Sequence, residues 1–409
     1  MLPSNRLEDY TFSVPKMDLT VRDVENFGQE LLEYFKHFHD GFFRSETREH
    51  AALYLAGLLS PLERKSIEPI ALNLKDVPVR TLQYSIGGAK WKTDLFGLRL
   101  RQLVKEDMAD EQGVLVTDES SFQKKGEESV GVARQYCGSL GKVENCQVGV
   151  FLAYVSPSGY AFVDKRLYLP EDWFDAEHEE KRKKCDLPKD LKFKTKPQLA
   201  AEMVLGAYRE KLLPFRWVLG DSIYGDNEDF IRDVEKCTGV SWFVSTARDT
   251  RCFIEGKLQV GKPRKVEDIA KDISSTFWYR RKVSECTKGP IVYEFARRRV
   301  VVTNDGKPVR TVWLLIRRTL NKSRIWYYLS NAPASTRMTT MVWLSGLRWA
   351  IEQGFEECKG ETGMDHYEMR GWSGWNNHML MAMAAHFFLW HLIVRLGKKN
   401  VLGYGLADP

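Results

Sequence analysis

Residues 345–359 read SGLRWAIEQGFEECK. On an α-helix Arg348 lies one turn before Glu352, and Lys359 lies two turns after it, so the three charged side chains share one face. Ile351 and Phe355 point elsewhere and can anchor the helix. Arg348 can orient the carboxylate or bind a phosphate, and Lys359 can reach a phosphate as a point charge. The alternative is an i,i+4 ion pair on a surface helix, which is common and weak.

Two more acidic residues stand directly after short apolar runs. Asp118 follows VLVT at 114–117, and Asp221 follows WVLG at 217–220. Both runs predict strands, and carboxylates at the ends of neighbouring strands can converge on one point. Close carboxylates repel each other unless a cation neutralises them or one takes a proton. Taken alone, an aspartate at a strand end is more often a turn or helix-cap residue. The interpretation of Asp118 and Asp221 as a functional pair is therefore supported mainly by the motif around Glu352.

Hard oxygen ligands with open coordination positions suit Mg²⁺, which keeps some of its waters and binds phosphate oxygens. Such a site can catalyse a displacement at phosphorus with two metal ions. The seven cysteines are scattered and include no C-x-x-C pair, which argues against a disulfide framework and against a thiolate zinc site.

The rest of the chain predicts an α/β protein in four parts. Helical periodicity recurs between residues 17 and about 105, with helices at 21–37, 48–59, from Ser60-Pro61 onward, at 80–86, and after Lys90-Trp91-Lys92. Short helices with basic residues such as Lys90 and Lys92 suit a helix-turn-helix-like DNA-binding module. A purely structural helical cap is the alternative.

The middle of the chain alternates strands and helices. Strands are predicted at 114–117, 129–136, 147–155, 160–169, 215–219 and 242–245, with helices at 197–212 and 227–237. The charged segment 171–198 indicates a solvated loop. Residues 250–335 predict an inserted antiparallel sheet, with a hairpin signal at Asn304-Asp305-Gly306. Two helices follow, at about 337–360 and 374–396.

The predicted domains are therefore residues 1–108, 109–249, 250–335 and 336–409. The first is a helical DNA-binding domain, the second and fourth form one catalytic core, and the third is a β subdomain inserted into that core.

Composition limits the possible locations and partners. The formal net charge of +6 is compatible with a nucleic-acid partner without requiring one. The N-terminus has no apolar segment of the signal-peptide type, and no run approaches the roughly 20 apolar residues that span a bilayer. The longest apolar run, residues 379–389, predicts a buried helix. We therefore expect a cytoplasmic protein without a membrane partner.

These motifs together resemble a known family. The pattern R-x-x-x-E-x-x-x-x-x-x-K at Arg348, Glu352 and Lys359 resembles the signature of DDE transposases of bacterial insertion sequences, in the branch with a β-strand insertion before the glutamate. That family also has a tyrosine three residues before the arginine, where this chain has Ser345. The segments GDSIYG at 220–225, VTDESS at 116–121, TKPQL at 195–199 and GWSGW at 371–375 resemble further family blocks. The likeness spans about residues 110 to 390.

The resemblance implies an RNase H-like fold, with a mixed sheet flanked by helices. It also implies that Asp118, Asp221 and Glu352 are the catalytic metal ligands, for Mg²⁺ with Mn²⁺ able to substitute. The enzyme would nick double-stranded DNA at a transposon end, and the freed 3′-hydroxyl would then attack target DNA. A homodimer in the DNA complex and a location at the bacterial nucleoid are also implied. Glu119 and Glu356 are the nearest acidic residues that could be mistaken for ligands.

Phosphate or DNA contacts are predicted for Arg348, Lys359, Tyr224, Lys90, Lys92 and Arg298. For the arginines at 297–299 and 317–318 and for Lys322, a solvated surface is an equal alternative. His366 and His378 are expected to be structural, and Trp313 and Trp326 to be core residues, although contacts to DNA or to an extruded base are alternatives.

Two rival functions are a two-carboxylate glycosidase, which would leave Arg348 and Lys359 unexplained, and an inactive relative that binds DNA without cutting it.

Overall fold

The computed structural model describes residues 25–74, 77–256, 262–286, 289–304 and 306–403. Three sequence predictions fall wholly or partly outside these residues. They are the absence of a signal segment at the N-terminus, the start of the helix predicted from residue 21, and Asp305 in the predicted hairpin.

A mixed β-sheet forms the centre of the molecule. Its twelve described strands are β1 (Val114–Gln123), β2 (Ala133–Cys137), β3 (Lys142–Ser156), β4 (Gly159–Tyr168), β5 (Trp217–Gly220), β6 (Ser241–Thr246), β7 (Arg251–Ile254), β8 (Arg264–Lys265), β9 (Tyr279–Cys286), β10 (Gly289–Asn304), β11 (Lys307–Thr319) and β12 (Ile325–Ser330). The strand order is β2-β3-β1-β5-β6-β12-β11-β10-β7-β8, with β4 paired to β3 and β9 paired to β10.

The pairing around β1 sets the position of the predicted site. β1 is antiparallel to β3 and parallel to β5, which is in turn parallel to β6. The first predicted aspartate lies on β1 and the second directly follows β5. The mixed sheet flanked by helices that the resemblance implies is confirmed.

Helices flank the sheet. Those described are α1 (Phe27–Lys36), α2 (Ser45–Leu58), α3 (Ile67–Leu74), α4 (Val79–Gly87), α5 (Thr93–Met108), α6 (Glu179–Lys184), α7 (Lys196–Glu210), α8 (Ser222–Gly225), α9 (Glu228–Val234), α10 (Val266–Lys271), α11 (Met338–Thr362) and α12 (Trp372–Gly403). Several short 3₁₀ turns lie between them.

The N-terminal helices pack on α12. The Tyr34 hydroxyl donates to the Ala384 carbonyl, and the Tyr54 hydroxyl hydrogen-bonds Nδ1 of the fully buried His378. α12 is apolar and long enough to cross a membrane, but 83% of its apolar window is buried inside the protein. It is therefore a core helix, as predicted from residues 379–389.

Two local predictions are wrong. No helix opens at Ser60-Pro61, because the chain turns there and α3 starts only at Ile67, where the Ser66 carbonyl accepts the first helical bond from the Ile70 N–H. The segment 171–198 is also more than a solvated loop. It buries Trp173, whose indole N–H donates to the Val132 carbonyl, and it includes the helix α6, in which all 6 residues are charged and none is buried.

The predicted insertion continues the core sheet. β12 pairs with β6 in antiparallel register, with Tyr328 opposite Ser245, and β11 and β10 extend the sheet beyond it. The division of the chain into four domain segments stays a prediction.

Candidate active site

β1 and β5 bring Asp118 and Asp221 to the same level of the sheet. The last parallel pair between these strands joins Val116 to Leu219, so both aspartates lie just past it. Asp118 was predicted to end its strand, but it lies in the middle of β1. The reason is that β3 pairs with β1 as far as Gln123, well past the end of the β5 contact.

The GDSIYG segment forms a tight turn that fixes Asp221. The Asp221 carboxylate caps α8 by accepting the Ile223 N–H at 2.9 Å. A Cβ on Gly220 would lie 2.9 Å from the Tyr224 Cβ and 3.0 Å from the Thr117 hydroxyl, and a Cβ on Gly225 would lie 2.1 Å from the Ser245 carbonyl oxygen. Both glycines are therefore required by close packing of the turn against β1 and β6.

The Arg348 guanidinium lies among three carboxylates. Its nitrogens are 2.6 Å from Glu352 Oε1, 3.8 Å from Asp221 Oδ2 and 3.9 Å from Asp118 Oδ2. The Arg348–Glu352 contact is the i,i+4 pair expected from the sequence, but the other two contacts are tertiary. All three carboxylates therefore lie within 4 Å of one guanidinium. The structure therefore brings the three predicted acidic residues together.

Burial perturbs the titration of this cluster. It raises the pKa of Asp118 to about 7, and the charges of Asp221 and Glu119 act in the same direction against Arg348. Burial and the Glu119 charge also raise the pKa of Asp221. For Arg348 burial acts to lower the pKa, but the three carboxylates outweigh it, so the pKa is raised. The positive charge of Arg348 therefore does not fully offset the effect of burial on the pKa values of the two aspartates.

Lys359, Ser345 and Glu356 of α11 lie in three different environments. The Lys359 Nζ donates to the Ser121 carbonyl at 3.3 Å and lies 5.5 Å from the centre of the Phe122 ring, and burial lowers its pKa. Ser345, which replaces the family tyrosine, is buried, and its carbonyl accepts a hydrogen bond from Arg317. Glu356 is exposed and is not among the carboxylates around Arg348.

Tyr224 and Glu119 lie behind the two aspartates. Tyr224 is fully buried and its hydroxyl donates to Glu119 at 2.9 Å, so the side chain faces protein. The structure thus does not present Tyr224 to DNA, contrary to the contact predicted for it. Glu119 also pairs with Lys196 at 3.2 Å. From the sequence, Glu119 was considered only as a residue that could be mistaken for a metal ligand. Its contacts with Tyr224 and Lys196 join three segments that are distant in sequence, so no local pattern predicts them.

Three predicted DNA-binding residues lie elsewhere. Lys90 and Lys92 are exposed on the segment before α5, where Lys92 Nζ lies 5.0 Å from the centre of the Phe43 ring. Arg298 lies on β10 opposite Leu314, and strand alternation points it away from the face of Arg297 and Arg299. Arg297 and Arg299 stack on Trp313. Across the described ranges, the groups around Arg348 include none of Lys90, Lys92 and Arg298.

A groove of about 720 Å³ opens beside Arg348. It runs from Ser222 to the β10–β12 sheet, and its lining includes Arg248, Lys271, Arg318, Lys322, Trp278 and Trp326. Arg318 lies 3.5 Å from the centre of the Trp278 ring, and Arg317 lies 4.4 Å from that of Trp326. Arg248 and Trp278 were not singled out in the sequence, since neither belongs to a motif or to a run of like residues.

The two histidines are structural, as expected. His378 bridges Tyr54 and the Met364 carbonyl, and burial lowers its pKa to about 3, so it is neutral at pH 7. His366 accepts the Lys65 backbone N–H.

The donor set is compatible with a divalent ion. It consists of carboxylate oxygens, and burial, together with the charges of Asp221 and Glu119, raises the pKa of Asp118, an effect that a bound cation would oppose. Within the part of the chain that the structure describes, no three acidic, thiol or imidazole side chains are already arranged as a metal-binding group. The Arg348 guanidinium takes the position between the three carboxylates.

Two family models and a curated relative match this chain. Residues 37–271, more than half of the chain, match the family model described as DDE superfamily endonuclease, and residues 196–388 match that described as Transposase DDE domain. The "Probable transposase for insertion sequence element IS701" of Microchaete diplosiphon is 23% identical over 321 residues, covering 76% of this chain and 74% of that protein.

Among solved structures, a piggyBac transposase synaptic complex with hairpin DNA aligns with 94% of this chain and 74% of its own. The sequence identity is 9% and the TM-score is 0.41, which does not establish a shared topology.

Proposed function

This chain belongs to the DDE superfamily of endonucleases and transposases, and on that basis we propose that it is a DNA transposase that cleaves transposon ends and joins them to target DNA. The observation that carries the proposal is the contact of one guanidinium, that of Arg348, with Asp118, Asp221 and Glu352. More than one hundred residues separate each acidic residue from the next. Such convergence is the arrangement that metal-dependent phosphoryl transfer needs.

Asp118, Asp221 and Glu352 would hold the catalytic ions, which we propose to be Mg²⁺, with Mn²⁺ able to substitute. When bound, divalent ions supply positive charge that activates the attacking oxygen and stabilises the leaving oxygen. The family generally uses divalent metal ions, and the buried, mutually repelling aspartates fit that requirement. Asp221 is held by its cap on α8, whereas Glu352, with 51% of its side chain exposed, has freedom to adjust.

The positively charged side chains would bind the DNA backbone. Arg348 lines the groove. It can exchange a carboxylate oxygen for a phosphate oxygen, because both accept hydrogen bonds from the N–H groups of the guanidinium. Lys359, whose Nζ donates to the neutral Ser121 carbonyl, can supply a second positive charge. Tyr224 instead positions Glu119 from within the protein.

The groove would guide a DNA strand to the site. Cationic side chains follow a phosphate backbone, and indole rings stack on bases without sequence preference. Arg248 and Lys322 line this groove. Lys90, Lys92 and Arg298 lie outside it, and we propose that they contact more distant parts of the duplex. We further propose a homodimer on DNA, because two ends must be joined, and a cytoplasmic location at the bacterial nucleoid.

Cleavage of supercoiled plasmid DNA that carries candidate transposon ends tests the function. The purified protein should nick this DNA with Mg²⁺ or Mn²⁺, and EDTA should abolish nicking. Asp221→Ala should bind the DNA but leave it intact, whereas Glu356→Gln should cut like the unaltered protein. Cleavage by Asp221→Ala would contradict the site, and binding without any cleavage by the unaltered protein would favour the inactive DNA-binding alternative.

A further inference from the structure

Glu119 is the acceptor at the centre of a small network behind the candidate site. Its Oε2 accepts the Tyr224 hydroxyl at 2.9 Å, and its Oε1 pairs with Lys196 Nζ at 3.2 Å. Only 17% of the Glu119 side chain is exposed. Both oxygens are thus engaged by groups that hold the carboxylate in one orientation.

The two donors come from segments that are fixed independently. Lys196 is the first residue of α7, whose start is set by a capping box between Thr195 and Gln198. Tyr224 is fully buried and its Cβ packs against Gly220, directly before Asp221. Glu119 therefore connects β1, α7 and the turn that carries Asp221.

Glu119 also adds negative charge at the site. It adjoins Asp118 in β1 and follows the strand alternation to the opposite face, so it does not contact Arg348. The Glu119 backbone N–H donates to Asp118 Oδ1 at 2.9 Å, whereas the Glu119 carboxylate, which is bonded to Tyr224 and Lys196, acts on Asp118 and Asp221 through its charge. A fixed charge close to the ligands strengthens the attraction of the site for a divalent cation.

We propose that Glu119, held by Tyr224 and Lys196, is a positioning residue that fixes the Asp221 turn against β1 and strengthens divalent-cation binding by Asp118 and Asp221. The inference depends on the proposed function, because it assumes that these aspartates bind the ion. The proposal gives a role to Lys196 in the TKPQL segment and to Tyr224 in the GDSIYG segment, in addition to the role of Asp221.

Calorimetric titration of the full chain with Mn²⁺, without DNA, measures this role directly. Glu119→Gln keeps the side-chain size but removes the charge, and we expect the dissociation constant to rise about 10-fold. Tyr224→Phe keeps the ring and the Glu119 charge, so a smaller rise is expected. Glu119→Asp keeps the charge but draws it back from Tyr224, and it should restore part of the affinity lost in Glu119→Gln. Glu356→Gln is the matched control and should bind Mn²⁺ like the unaltered protein.

Melting temperatures of the same variants separate positioning from loss of structure. Mn²⁺ affinity that falls in Glu119→Gln and recovers in Glu119→Asp at similar melting temperatures would support the proposal. Unchanged affinity in Glu119→Gln, or losses that follow the melting temperature across all variants, would overturn it. Asp221→Asn separates a failure of the role proposed for Glu119 from a failure of the proposed metal site. If this variant loses Mn²⁺ binding while Glu119→Gln does not, only the role of Glu119 fails. If neither variant is affected, the proposed metal site fails.

Discussion

Arg348 of α11 and Asp221, directly after β5, lie 3.8 Å apart although more than a hundred residues separate them in sequence. The same guanidinium contacts Asp118 and Glu352, so one positive charge holds three negative charges together.

Arg348→Gln should destabilise the protein in a pH-dependent way. Without the guanidinium the carboxylates repel at pH 8, whereas at pH 5.5 protonation relieves the repulsion. We expect the melting temperature of the variant to fall further below that of the unaltered protein at pH 8 than at pH 5.5. At pH 8, Mg²⁺ should reduce the difference in melting temperature between the variant and the unaltered protein. Thermal melts at both pH values with and without Mg²⁺ measure this.

The control for this experiment is Arg232→Gln, which breaks an exposed ion pair with Asp229 and should cost little at either pH. An equal loss of melting temperature in Arg348→Gln at both pH values would indicate that packing, not charge, is the contribution of Arg348.

Asp118 should make stability depend on pH with a defined sign. Its pKa is raised from 3.8 to about 7 in the folded protein. The folded state therefore binds the proton more tightly than the unfolded state, and the stability gained from this proton is fully present below about pH 4 and lost as the pH rises through 7. Relative to Asp118→Asn, the unaltered protein should lose a few kcal/mol of unfolding free energy between these limits. Urea denaturation without metal, from pH 4 to 8, measures the difference.

The same shift predicts the pH dependence of metal binding. Since a proton and a cation compete for the Asp118 carboxylate, apparent Mn²⁺ affinity should rise as the pH increases towards 7 and level off above it. Calorimetric titrations between pH 5.5 and 8.5 test this, and an affinity that stays constant across the range would contradict the raised pKa.

Gly225→Ala should disrupt the turn that carries Asp221. The added Cβ would lie 2.1 Å from the Ser245 carbonyl oxygen, so backbone must move. We expect a loss on the order of 3 kcal/mol in unfolding free energy, together with impaired cleavage. Gly206→Ala is the control, because no atom lies within 4 Å of its added Cβ in α7. That change should stabilise the helix by about 0.5–1 kcal/mol. Chemical denaturation of both variants measures the two changes in unfolding free energy.

Arg248→Ala with Lys322→Ala should weaken DNA binding if the groove carries DNA. Each lost phosphate contact should lower the slope of log affinity against log salt by about 1, and affinity should fall several-fold whatever the DNA sequence. Fluorescence anisotropy with a labelled duplex at several salt concentrations measures both quantities. Lys183→Ala, on the exposed α6, should leave the slope unchanged, and an unchanged slope in the double variant would place the DNA elsewhere.

Several features could be predicted from the sequence because their causes are local. Helical spacing alone places Arg348 one turn from Glu352, and the 25-residue α11 forms as predicted. Thr195 and Gln198 carry their own capping signal, and Pro197 lies in the first turn of α7. The order of strands and helices around the two aspartates follows from apolar runs, since strand and helix periodicities are properties of neighbouring residues.

Other features could not be predicted, because they depend on partners far along the chain. β1 continues through Asp118 to Gln123 because β3 happens to pair with it there. Tyr224 belongs to a family motif, yet its hydroxyl is directed into the protein by Glu119. The helix expected at Ser60-Pro61 is absent, although its local start signal is present.

The sequence by itself determined most of the secondary structure of the core, the choice of three acidic residues as candidates and the helix face shared by Arg348, Glu352 and Lys359. Each of these depends on the spacing of residues that are close in sequence. Only the tertiary structure decided that a single guanidinium joins all three carboxylates and that Glu119 faces Lys196 and Tyr224. The physical reason is that charges act through distances in space, and those distances are set by strand pairing and helix packing between segments that the chain keeps far apart.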